Sequence, residues 1–149
     1  MKAKKSPMIL KSFLLLNHKY QFIHTAEEPD VKKIMDDYLI DVDYAIKSDD
    51  KGYFNLFTKI GVNNIDKPSP GYKLFIEGVC IFWFDNKKQI SQTLKSQLLH
   101  GSGINICINN LRNILSVTTA NGPFGRYLLP SLDVNQLLAD KRQISQKKK

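Results

Sequence analysis

The chain has 149 residues, enough for one domain or at most two, and it is 42% hydrophobic and 24% charged. That composition excludes a disordered chain, and no run reaches the ~18 to 20 apolar residues of a membrane-spanning helix. The net charge of +8 invites a nucleic-acid reading, but all of the excess lies at the ends. Residues 1–10 hold three lysines and no acid, residues 141–149 hold five basic residues and no acid, and residues 11–140 balance. The tails are either solvated ends or unspecific polyanion binders. The body shows no interleaved basic–aromatic patch, which argues against nucleic acid as the partner. Lys11 interrupts the apolar run after the basic N-terminus and leaves Phe13 to Leu16 together. A signal peptide is not expected, and the chain reads as cytoplasmic.

Ile9 to His24 reads as the first strand, with alternation clearest at Leu14, Leu16, Tyr20 and Phe22. Thr25 to Asp37 is polar and acidic, a loop with a short helical turn. Tyr38 to Lys47 alternates strictly, with Tyr38, Ile40, Val42, Tyr44 and Ile46 on one face, and reads as a half-buried strand. Ser48 to Gly52 is a hairpin turn in which Gly52 can supply a positive φ. Tyr53 to Val62 returns. Asn63 to Gly71 is a loop with two prolines. Tyr72 to Phe84 is a strand apolar on both faces, so its outer face is expected to be covered, for example by a second subunit.

After Asp85 the apolar period becomes helical. Ile90, Leu94 and Leu98 form one stripe, Gly101-Ser-Gly103 breaks it, and Ile104, Ile108, Leu111, Leu115 and Thr118 form a second. Ser102 or Gly103 is a candidate N-cap, and Asn121-Gly122 a C-terminal stop. An apolar extended loop follows over Pro123 to Pro130, and Asp133 can cap a short last helix over Val134 to Asp140. Strands followed by helices imply an α+β fold: a four-stranded antiparallel sheet with two main helices and a short C-terminal helix packed on one face. One domain is expected, with its core at about 9–140 and flexible basic tails at 1–8 and 141–149.

Nothing in the chain points to catalysis. Cys80 and Cys107 lack metal-ligand spacing and read as small buried hydrophobes, and His18, His24 and His100 form no ligand pair. There are no paired carboxylates, nucleophile elbow or phosphate loop, so neither an enzyme nor a metal or other cofactor is expected.

Several segments carry a resemblance. Gly78-Val-Cys-Ile-Phe-Trp-Phe84 ends the fourth strand, Ile104-Asn-Ile-Cys107 opens the second helix, and Asn121-Gly-Pro-Phe124 ends it. Leu128-Leu-Pro-Ser-Leu-Asp133 follows, and Ile40-Asp-Val-Asp43 lies in the second strand. In order, spacing and element type these resemble the SecB family of cytosolic protein-export chaperones, over about residues 9–140. The resemblance implies a homotetramer, a dimer of dimers, that holds unfolded polypeptides in apolar grooves without ATP. On that resemblance the groove falls on Tyr38, Ile40, Val42 and Tyr44, opposite Leu111 and Leu115, with Phe124 and Leu128 in the loop. The alternative for each is ordinary core packing. The subunit interface falls on Phe75, Val79, Ile81 and Trp83 with Ile90, Leu94 and Leu98.

One departure bears on function. Export-specialised members carry acidic residues that dock a basic tail of the SecA motor, and the corresponding positions here are Lys19, Ile23 and, approximately, Phe75. SecA docking is therefore not carried over. Three readings follow: a holdase for exported chains, a SecB-like chaperone dedicated to one partner such as an antitoxin, and a nucleic-acid-binding module using the basic tails.

Overall fold

The structure is a computed structural model that describes residues 1–85 and 89–147. Four strands form one antiparallel sheet: β1 (Met8–Ile23), β2 (Ile40–Ser48), β3 (Phe54–Val62) and β4 (Gly71–Phe84). Their order is β1-β4-β3-β2, so β1 and β2 are the edges. A short helix α1 (Val31–Asp36) links β1 to β2, and Asp30 caps it by accepting the Lys33 N–H at 3.1 Å. The α+β expectation holds.

Hairpin chemistry sets the β2–β3 register. Asp49 accepts the backbone N–H groups of Lys51 and Tyr53, each at 2.9 Å, and Gly52 takes φ 81°. At the other end of β3, Asn63 adopts φ 52°, and its buried amide bonds the Ser69 and Tyr72 carbonyls and the Ser69 N–H. That clasp aims the chain into β4.

β1 departs from simple alternation. Its register against β4 slips between Leu10 and Ser12 and again between Leu15 and Asn17. Each slip is a bulge, which changes the side chains' facing. Leu14 therefore lies opposite Val79 on one face, while Tyr20 and Phe22 lie opposite Leu74 and Tyr72 on the other.

Helices α2 (Gln92–Leu98) and α3 (Ile104–Thr119) do not separate at Gly101-Ser-Gly103. A π-helical turn, Leu99–Gly103, joins them, and Gly103 keeps helical angles, so no N-cap forms there. The apolar stripe of α3 (Ile104, Cys107, Ile108, Leu111, Leu115) is buried against the inner face of β3 and β4, where Leu56, Ile60, Val62, Leu74, Ile76 and Phe82 are also buried. This packing offsets the weak intrinsic helix preference of a segment rich in Ile, Asn and Thr. Gly78 makes room in the core: a Cβ there would stand 2.6 Å from the Phe13 ring and 3.1 Å from Leu111.

The last helix, α4, runs from Val134 to Lys147, well past the expected end at Asp140. Most of the basic C-terminal segment is thus helical, while Lys148 and Lys149 lie outside the described residues. No helix among the described residues is long and apolar enough to cross a membrane.

Candidate polypeptide-binding surface

The loop between α3 and α4 is the organising element, because three side chains fasten its backbone. The Tyr72 hydroxyl donates to the Gly125 carbonyl at 2.7 Å and accepts the Phe124 N–H at 3.2 Å. Thr119 Oγ1 accepts the Tyr127 N–H at 2.8 Å. Arg112 donates from Nε to the Leu129 carbonyl at 3.0 Å and from Nη2 to the Pro130 carbonyl at 2.9 Å. An extended segment with no sheet partner thereby has several of its backbone groups paired by side chains.

The loop crosses one end of the inner face from β1 towards β2. Phe124 meets Phe22 edge-on at 5.1 Å, Tyr127 faces Tyr38 at 5.8 Å, and Leu132 joins Ile40 and Val42 in lining a crevice. Leu128 between them points outward and is 66% exposed.

The expected groove residues separate into two groups. Ile40, Val42 and Phe124 are half-buried and Leu128 is exposed, so a polypeptide can reach them. Tyr38 and Tyr44 are buried, and Leu111 and Leu115 are 0% exposed. Leu111 and Leu115 do not oppose β2 across an open groove, because the period of α3 turns both onto β3 and β4 as core. The Tyr38 phenol is engaged by backbone, and burial raises its pKa against the lowering effect of the Tyr72 N–H.

What stands over β2 is α4. Leu137 and Asp140 line the crevice with Ile40 and Val42, and the Lys141 ammonium lies 5.6 Å from the Tyr44 ring centroid. Lys141 also hydrogen-bonds Asp43, which pairs with Lys59 at 3.5 Å. Burial works to raise the Asp43 carboxyl, but the bonds from Lys141 and the Tyr44 N–H and the charges of Lys141 and Lys59 hold it below its ordinary value.

The expected interface set also divides. Phe75, Val79, Ile81 and Trp83 alternate with the core residues of β4 and so lie on the outer face of the sheet. Leu98 and Ile90 pack against the core on the helix side, and Leu94 is exposed there. One planar contact cannot use both groups, because the sheet stands between them.

Sequence reasoning read β1 as a strand but assigned none of its apolar residues to a surface. Leu10, Leu15 and Tyr20 face inward beyond the reach of α3 and are exposed, and Ile9 and Leu14 are exposed on the outer face. Leu16, at the second bulge, is exposed as well. The run Leu14-Leu15-Leu16 was the available signal: three consecutive leucines on an edge strand cannot all point into one core. The positions aligned with the family's acidic docking residues lie on β1 and β4, where Lys19 stands opposite Phe75. Among the described residues no cluster of three or more His, Cys, Asp or Glu side chains could hold a metal ion. The two cysteines are buried, and hydrogen bonding to Cys80, with burial, raises the Cys107 thiol.

No family model and no curated protein sequence matches this chain. The fold does match a solved structure, the Mycobacterium tuberculosis SecB-like chaperone Rv1957 in complex with a ChAD peptide from the Rv1956 HigA1 antitoxin. The TM-score is 0.60 at 13% identity, covering 85% of this chain and 88% of that one. A Streptococcus agalactiae protein of unknown function aligns with a TM-score of 0.39 at 8% identity, over 84% of this chain and 97% of that one. The fold of this chain is SecB-like.

Proposed function

We propose that this protein is a SecB-like chaperone that holds extended polypeptide without ATP, and that it serves a dedicated partner, such as an antitoxin, in preference to general export. The observation that carries the reading is apolar surface left exposed on a SecB-like fold: Leu128 on a fastened loop beside the half-buried Ile40 and Val42. A holding surface needs aliphatic and aromatic side chains kept in place without collapse, and the backbone bonds from Tyr72, Thr119 and Arg112 supply that rigidity. The likeness to a chaperone solved with an antitoxin peptide supports the dedicated role. So does the loss of the acidic docking positions at Lys19, Ile23 and Phe75.

In this reading clients lie along Ile40, Val42, Phe124 and Leu128. The chain works as a cytoplasmic homotetramer, and β1 supplies a subunit contact. A long edge strand with exposed leucines is a template for pairing with another chain. Light scattering in line with gel filtration, on the full chain in high salt with and without a chemically unfolded client, tests the proposal. A tetramer-sized particle that co-elutes with client is the expected result. A monomer that ignores the client overturns both the assembly and the activity. Polyanion binding through the tails would instead be lost in high salt.

A further inference from the structure

The outer face of the sheet gathers residues that the chain order keeps apart. Ala45, Phe57, Val79 and Leu14 lie in register as one row across four strands, and the next row places Ile81 between Asn55 and Ser12. Beyond these Trp83 stands opposite Ile9 and is 36% exposed. Among the described residues the charges in this half of the face are Lys11, whose ammonium lies 4.0 Å from the Tyr53 ring centroid, and Lys47, 5.6 Å from that of Phe57. The acids at this end, Asp49, Asp50 and Asp85, lie beyond the strand ends. The other half carries both signs: Asp43, Lys59 and Glu77 stand in register, Asp41, Lys19 and Lys73 lie on the same face beyond them, and Asp43 is bonded by Lys141 as well. The lysines of the N-terminal tail (Lys2, Lys4, Lys5) enter the sheet beside Met8, at the Trp83 end.

We propose that this apolar, lysine-rimmed half-face docks an acidic polypeptide segment that carries apolar side chains between its carboxylates. Charge complementarity selects that occupant. A second copy would bring Lys11 and Lys47 against the same charges. A single-stranded nucleic acid needs open rings to stack on, whereas the centre here is aliphatic (Leu14 and Ile81 about the buried Val79) and Tyr53 and Phe57 are half-buried beside lysines. An extended acidic segment can set alternate apolar side chains on the aliphatic row and its carboxylates on the lysines. The site is on the opposite side of the sheet from Ile40, Val42 and Leu128 and does not depend on client holding.

Trp83 is the chain's one tryptophan, so its fluorescence reports occupancy directly. The full chain is titrated with a short Trp-free peptide alternating glutamate with leucine and phenylalanine, with its lysine-for-glutamate counterpart, and with oligo-dT. The expected result is a saturable blue shift with the acidic peptide alone, weakened by salt. Lys47→Glu, on β2 and away from the proposed β1 contact, should reduce that affinity by about tenfold or more while thermal unfolding and client capture stay unchanged. Equal binding of the lysine peptide reduces the face to unspecific adhesion and overturns the proposal. A stronger response to oligo-dT makes it a nucleic-acid platform. A smaller particle for Lys47→Glu, by light scattering, makes it a subunit interface, and either of these outcomes also overturns the proposal.

Discussion

The Tyr38 hydroxyl accepts the backbone N–H of Tyr72 at 2.8 Å and donates to the Pro70 carbonyl at 3.0 Å. One phenol thus joins the approach to β2 to the start of β4. Tyr72 in turn holds the α3–α4 loop. The chain Tyr38–Tyr72–Gly125 is therefore the physical link between sheet and candidate surface. Tyr38→Phe leaves a buried N–H without its partner and should cost about 1–3 kcal/mol. Tyr127→Phe is the contrasting case. The Tyr127 hydroxyl is buried with no hydrogen-bond partner among the described residues, and burial pushes its pKa up to about 12. Removing it should leave stability unchanged or slightly raised. Urea unfolding of both variants checks the pair, and a larger loss for Tyr127→Phe would contradict this account.

The approach of Phe13 to Gly78 gives a second test. A Cβ at residue 78 would stand 2.6 Å from the Phe13 ring. Gly78→Ala should therefore destabilise by about 1–3 kcal/mol through overpacking. Adding Phe13→Leu should recover part of that loss, because the two sites share one space. A double variant that loses the full sum of the two single costs would show that the positions are independent.

Docking of α4 should depend on pH through Asp43. The folded-state pKa of Asp43 lies below its ordinary value of 3.8, so its contribution is present above that value and is lost as pH falls through the folded pKa. Asp43 is partly exposed, so screening limits the pair to about 0–1 kcal/mol. The expected result is faster amide exchange in α4, relative to α3, on going from about pH 5 to pH 3. Asp43→Asn should show the faster exchange at both pH values. If α4 of the wild-type chain exchanges at an unchanged relative rate, the ion pair does not hold the helix.

How far the sequence was legible depends on where local pattern and tertiary geometry agree. β2 was legible because Tyr38 to Ile46 alternates without a slip, and a regular strand keeps that period. β1 was only half legible. Each of two bulges reverses its facing, and the second, between Leu14 and Tyr20, puts these residues of one parity on opposite faces. A bulge leaves no composition signal when its residues are leucine and lysine. The joint at Gly101-Ser-Gly103 was misread for a related reason: glycine is a usual helix terminator, yet a π turn absorbs the offset and lets the helix continue. α4 outran its expected end because the basic residues after Asp140 look like a solvated tail, while Lys141 has a carboxylate to meet at Asp43. The candidate surface was legible only as strand parity. Strand parity placed Ile40 and Val42 on the inner face, but no one-dimensional pattern distinguishes a helix leucine facing a groove from one facing a core. Leu111 and Leu115 belong to the core.

Client holding and assembly should separate by substitution, because their candidate surfaces lie on different strands. Ile40→Asp with Val42→Asp places two carboxylates in the crevice below Leu132 and Leu137. Neither residue is fully buried, so the fold should survive while capture of an unfolded client falls by about tenfold or more, since a carboxylate is costly to desolvate against an apolar chain. Leu10→Asp with Leu15→Asp changes exposed positions of edge strand β1 instead. That pair should shrink the particle measured by light scattering, because two like charges would face their copies across any β1 contact. Truncation before Lys141 adds an independent arm. Without the Asp43 partner, α4 should loosen over Ile40 and Val42, and client capture should rise or stay level. If the truncated chain loses capture while the Ile40 and Val42 variant keeps it, clients bind the C-terminal segment and not the β2 crevice. If the Ile40 and Val42 variant dissociates while the Leu10 and Leu15 variant stays assembled, the two surfaces exchange roles.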